Sequence, residues 1–83
     1  MYKLVYTKTA VNDLAKIDIV AKKRIKKKIE EYITSPFNHA KKLTHSRLGD
    51  YRWRIGNYRI VFDVKGKDII ILRIGHRREI YRK

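Results

Sequence analysis

The stretch YRWRIGNYRIVFDV, residues 51–64, constrains the fold more than any other part of this chain. Apolar and polar residues alternate on both sides of Gly56-Asn57, a pair that accepts positive φ, so the two runs read as strands joined by a tight turn. A turn at 56–57 pairs Ile55 with Tyr58, Trp53 with Ile60 and Tyr51 with Phe62. All of these side chains share one apolar face, which needs a covering layer. The parity of Trp53 puts it in that core. On the other face Arg54 lies opposite Arg59 and Arg52 opposite Val61. Like charges directly opposed across two strands are destabilising, so this pairing calls for an anion between them.

The covering layer is supplied by the residues before the hairpin. Tyr2 to Tyr6 alternates and reads as a short strand. Thr7 is placed to cap a helix over about 8–17, with Val11, Leu14 and Ala15 at helical spacing. Asp18 caps a second helix, whose Ile25, Ile29, Tyr32 and Ile33 form one stripe. Ser35-Pro36 ends it, because the residue before proline is pushed out of the helical region. Residues 37–50 have no clear period and read as a loop, followed by strands over about 48–55, 58–64 and 68–75. For the last strand, a three-residue loop Lys65-Gly66-Lys67 puts Ile70, Leu72 and Ile74 on the buried face and Arg73 opposite Arg59. A two-residue loop would instead bury Arg73 among the helices, a costly place for a lone charge. The tail HRREIYRK reads as a loop or a short helix. The expectation is a single α+β domain over 1–83, in the order β-α-α-β-β-β, with an antiparallel sheet packed on a helical hairpin.

Charge narrows the function. Lys plus Arg number 22 and Asp plus Glu 8, a net +14. A domain this basic meets polyanions. With no cysteine there is neither a disulfide nor a thiolate metal site. The histidines show no short ligand spacing, so no metal or cofactor is expected. The longest aliphatic run, Ile69 to Leu72, is too short to span a bilayer. MYKLVYTK lacks the apolar stretch of a secretory signal. The reading is a cytoplasmic protein with no membrane contact. The open sheet face gathers Arg52, Arg54, Arg59, Arg73 and, if alternation continues, Arg77. Arginine's planar fork suits phosphate and carboxylate equally, so a nucleic acid and an acidic peptide both remain open. So does a solvated face whose arginine stems lie over Val61 and Ile71. Residues 22–28 hold six cations, Lys22, Lys23, Arg24, Lys26, Lys27 and Lys28. That helix face is either simply solvated or grips RNA phosphates.

YRWRIGNYRIVFDV followed by RIGHRREIY, and preceded by KKKIEEYITSPFNHAKKL, resembles the RelE branch of the RelE/ParE toxin superfamily over essentially the whole chain. The most specific match is the tail: Gly75, His76, Arg77 and Tyr81. The resemblance implies the toxin of a type II toxin–antitoxin pair. Its expected activity is a ribosome-dependent, metal-independent mRNA endoribonuclease acting in the A site. There the ribose 2′-hydroxyl attacks its own 3′ phosphate and leaves a 2′,3′-cyclic phosphate. The resemblance also implies roles for individual residues. Arg52 and Arg54 stand where the family has lysines, one of them a proposed base. Arginine, with a pKa above about 12, is a poor base, so these two are expected to clamp phosphate. Arg59 is expected to stabilise charge, Arg77 to act as acid and Tyr81 to stack on a base. His76 is the preferred general base, although strict alternation turns it inward unless the strand ends or bulges there. His39 and His45 are weaker candidates. Lys22, Lys23, Lys26, Lys27 and Arg73 are expected to bind RNA.

The implied partners are mRNA, the ribosome with its rRNA, and an acidic RelB-like antitoxin. The antitoxin's apolar side chains are expected to meet Val61, Ile69 and Ile71, with carboxylates over Arg54, Arg59 and Arg73. Two other readings are carried alongside: a ParE-like, non-enzymatic inhibitor of DNA gyrase, and a catalytically inert basic RNA-binding module. The GHRREIY tail favours the nuclease, because ParE-like chains generally lack that arginine–tyrosine arrangement.

Overall fold

The structure, a computed structural model, describes residues 1–44 and 46–80. Strand β1 (Lys3–Tyr6) leads into helix α1 (Lys8–Ala15) and helix α2 (Ile19–Tyr32). A 3-10 turn at Pro36–Asn38 is followed by β2 (Ala40–Lys42), β3 (Tyr51–Ile55), β4 (Tyr58–Lys65) and β5 (Asp68–His76). The five strands form one sheet in the order β1-β5-β4-β3-β2. The expected order is present, with one addition: β2 lies in the stretch read as loop and pairs antiparallel with β3 at the sheet's edge. The sheet is mixed rather than wholly antiparallel, because β1 runs parallel to β5.

Local chemistry sets the helix starts. The Thr7 hydroxyl accepts from the Ala10 amide at 3.1 Å and donates to the Ile71 carbonyl at 2.8 Å. One side chain therefore both caps α1 and ties it to β5. Asp18 caps α2 by accepting from the Ala21 amide. Leu14 of α1 and Ile25 and Ile29 of α2 cover the sheet face formed by Trp53, Ile60, Phe62, Ile69, Ile71 and Ile74. Full burial of side chains this size stabilises by roughly 1.5–3 kcal/mol each. Trp53 is completely buried, and its indole Nε1 donates to the Pro36 carbonyl at 3.0 Å, so its one polar atom is satisfied. Among the described residues, no helix is long and apolar enough to cross a membrane.

The β3–β4 register is the expected one, with Arg54 opposite Arg59 and Arg52 opposite Val61. The β4–β5 register is not. The turn there has two residues, since Lys65 pairs with Asp68, and Ile69 and Ile71 rather than Ile70 and Leu72 enter the core. A register shift between Phe62 and Val61 then leaves Leu72 as an extra residue and reverses the parity of the strand. Beyond it Ile74 points into the core and Arg73 lies opposite Val61, not Arg59. The physical objection to burying Arg73 holds, but a bulge meets it rather than a longer loop.

The second face of the sheet is partly covered. The segment before β3 folds over it, and a Cβ on Gly49 would stand 2.7 Å from Leu72 Cδ1 and 2.8 Å from Val61 Cγ1. The Asp50 amide donates to Asp63 Oδ1 at 2.7 Å, which fixes that segment on β4. Val61 is fully buried as a result. At the other end the chain turns after His76, and Ile80 packs against Gly75 with 3% exposure.

Candidate active site

Between these two covers, the β3–β4 hairpin presents a cluster of arginines. Arg52 is half-buried and Arg54 exposed. Arg59 is only 8% exposed, and its Nη1 donates to the carbonyls of Gly56 and Tyr58, both at 3.1 Å. Those bonds hold the guanidinium in place instead of leaving it to sweep through solvent. Arg77 follows β5, its backbone amide donating to the Asn57 carbonyl at 2.7 Å while its side chain stays exposed. The chain after β5 is thereby pinned to the same two-residue turn that the Arg59 guanidinium bonds, with Arg54 opposite Arg59 on the neighbouring strand.

The structure draws Arg73 away from this group. Its Nε donates to Asp13 Oδ2 at 2.9 Å, and the same carboxylate oxygen accepts from the Ile74 amide at 2.9 Å. The pairing of β1 with β5 ends at Tyr6 and Ile71, so the Ile74 amide faces no strand on that side. Asp13 fills the vacancy in the ladder. Sequence reasoning passed over Asp13, because a partner 60 positions away leaves no local signal.

His76 shares the helix-side parity of Tyr58, with which it pairs, and their rings meet edge-on at 5.8 Å. Its Nδ1 accepts from the Arg78 amide at 3.2 Å, and its carbonyl accepts from the amides of Glu79 and Ile80. A backbone amide is only a donor, so the neutral ring carries its proton on Nε2. The cleft beside it, about 490 Å³, is lined by Asp13, Asp18 and Glu79 as well as Lys16 and Arg73. That mixture of signs does not suit a polyanion. His39 is exposed and stacks on Tyr32 at 4.2 Å. Tyr81 and His45 lie outside the described residues. Among the described residues, no cluster of His, Asp or Glu is arranged to hold a metal ion.

Lys23, Lys26 and Lys27 are exposed on α2, and Lys22 is half-buried beside Tyr6 and Val11. They belong to the layer behind the sheet, not to the arginine face. The surface expected to receive an antitoxin's apolar residues is absent, since Val61, Ile69 and Ile71 are all fully buried.

Comparison with known proteins gives a consistent result. The family described as ParE toxin of type II toxin–antitoxin system, parDE, matches residues 4–81. Toxin RelE3 of Methanocaldococcus jannaschii is 40% identical, with 95% of this chain and 94% of that protein covered. The RelB–RelE antitoxin–toxin complex from Methanococcus jannaschii superposes with a TM-score of 0.73 at 40% identity, covering 93% of this chain and 94% of the other. The RelBE2 complex from Mycobacterium tuberculosis superposes with a TM-score of 0.83 at 25% identity, covering 92% and 98%. From its arginine-bearing hairpin to its match along nearly its whole length, the chain belongs to the RelE/ParE superfamily of toxins of type II toxin–antitoxin systems.

Proposed function

We propose that this toxin is a ribosome-dependent endoribonuclease that cuts mRNA in the A site. The observation that carries the reading is that the Arg59 guanidinium and the Arg77 backbone both bond the Gly56-Asn57 turn, with Arg54 opposite Arg59 and Arg52 on the same face. The 2′-hydroxyl oxygen attacks the adjacent phosphorus and the bond from phosphorus to the 5′ oxygen breaks, giving a 2′,3′-cyclic phosphate and a 5′-hydroxyl. Arg52 and Arg54 clamp the phosphate. Arg59, held by its bonds to the turn, offers fixed positive charge to the phosphorane, where charge builds up. Arg77 gives a proton to the departing 5′ oxygen and regains one from solvent, and Tyr81 stacks on a base. His76, its Nδ1 taken by the Arg78 amide, holds the turn that presents Arg77, and the 2′-hydroxyl proton passes to solvent. The rate then comes from in-line positioning and charge stabilisation. Lys22, Lys23, Lys26 and Lys27 grip rRNA.

The partner in the cell is a RelB-like acidic antitoxin, a reading supported by the RelB–RelE complexes among the solved structures. Its carboxylates meet the exposed Arg54 and Arg77, and the net charge of +14 speeds its capture. Gyrase inhibition is the second reading, favoured by the ParE name of the matching family.

Primer extension on mRNA in a translating extract tests the proposal. Codon-phased cuts are expected, and Arg77→Ala should abolish them with unchanged circular dichroism, since the side chain is exposed. Arg59→Ala is the less clean test, because it also removes two bonds to the hairpin turn. Intact mRNA with gyrase-linked DNA breaks would establish the second reading, and neither outcome would leave an inert RNA-binding module.

A further inference from the structure

The hairpin tip receives one more guanidinium, from the opposite side of the sheet. Arg24 of α2 is exposed, and its Nη1 lies 3.3 Å from where a Cβ on Gly56 would stand. Gly56 has φ +58°, a backbone conformation that favours glycine. The carbonyl of the same residue accepts from Arg59 Nη1. Arg24 and Arg59 therefore meet one glycine from different layers of the fold. Arg77 is anchored to the neighbouring Asn57. Among the described residues, ion pairs join Lys28 to Glu31 and Arg73 to Asp13, and neither involves Arg24.

Positive charge gathered around a two-residue turn repels itself and lowers stability unless an anion is shared. A single phosphate on the sheet face beside the exposed Arg54 leaves Arg24 behind the turn. A polyanion crossing the tip satisfies both sides. We propose that Arg24 contacts the sugar–phosphate backbone of single-stranded RNA next to the bound phosphate, and that the Gly56-Asn57 turn is the saddle over which that strand passes from the arginine face to the basic face of α2. The inference rests on the nuclease reading for the identity of the strand. It adds a residue and a path that the arginine face alone does not imply.

The test is equilibrium binding to a fluorescent 2′-O-methyl oligoribonucleotide, which lacks the attacking hydroxyl and stays intact. Affinity is followed across a salt series for the wild-type protein, Arg24→Ala, Arg24→Lys and Lys67→Ala. Lys67, an exposed cation at the β4–β5 turn, lies at the far end of the hairpin and controls for loss of one charge. One lost phosphate contact lowers the slope of log affinity against log salt by about 0.7 for single strands. That drop is expected for Arg24→Ala, with Arg24→Lys and Lys67→Ala keeping the wild-type slope. Equal slopes for Arg24→Ala and Lys67→Ala would overturn the contact. Failure of the nuclease reading registers elsewhere, as uncut mRNA in the translating extract, so the two failures are separable.

Discussion

Replacing Asp13 by alanine removes two things at once: the acceptor for the Ile74 amide and the counter-ion of Arg73. The Asp13 side chain is 12% exposed and that of Arg73 40% exposed. A hydrogen bond to a charged acceptor at a mostly buried site contributes about 1.5–3 kcal/mol. The ion pair, well wetted on the arginine side, adds no more than about 1 kcal/mol. The sum is about 1.5–4 kcal/mol, a large share of the stability of a domain this small. With a urea m-value of about 1 kcal/mol/M for a chain of this size, the unfolding midpoint should fall by about 1.5–4 M. Asp13→Asn keeps an acceptor for Ile74 and should cost about half as much. A double-mutant cycle with Arg73→Ala isolates the ion pair and should return less than about 1 kcal/mol. A midpoint for Asp13→Ala within about 0.5 M of wild type would show that the carboxylate does not hold the β5 edge. Because Asp13 holds Arg73 off the arginine face, Arg73→Ala should leave mRNA cleavage nearly unchanged.

Three further outcomes are expected. His76→Gln should show the same pH dependence of single-turnover cleavage as wild type across the imidazole range near about 6.5, and loss of a limb in the variant would return the base role to His76. Gly49→Ala forces a methyl to within 2.8 Å of Val61 and Leu72 carbons and should destabilise the fold, by about 1–3 kcal/mol in urea titration. Burial, followed by the Glu30 carboxylate, raises the Tyr6 phenol above its ordinary value. The unfolded chain therefore ionises first as pH passes about 10, so the contribution of Tyr6 is complete below that pH and is lost as pH climbs through the native pKa. Tyr6→Phe should flatten this alkaline decline in thermal melts.

The parts of the fold that could be read from the sequence are those governed by local chemistry. Thr7 and Asp18 announced both helices because a cap needs an oxygen one turn from an amide, and both bonds form. The β3–β4 register followed from a two-residue turn and alternation alone. β2 was missed because three residues at an edge, Ala40–Lys42, carry no measurable period. The bulge was missed for a different reason. Ile69 to Leu72 is apolar throughout, so sliding or bulging the strand leaves the pattern unchanged, and Arg73 alone showed that something had to give. Of the arginine face, Arg52, Arg54 and Arg59 were legible from parity. The capture of Arg73 by Asp13 and the reach of Arg24 to Gly56 were not, because both depend on how helices of one layer meet strands of another.

The place of β5 in the sheet also bears on how this toxin comes into being. It is the last strand in chain order, yet it lies between β1 and β4 and pairs with both. Until it is available, β1 has no strand to pair with. The bond that caps α1 onto Ile71 spans 64 positions. The β3–β4 hairpin, though local, has no cover for Phe62 on the β5 side. Contacts this distant in sequence form late, because the chain must be closed before they reward it. A nascent chain on its own ribosome therefore cannot assemble the arginine site ahead of its final strand. A chain that lacks β5 carries its arginines without the frame that holds the hairpin turn and the segment after His76 together.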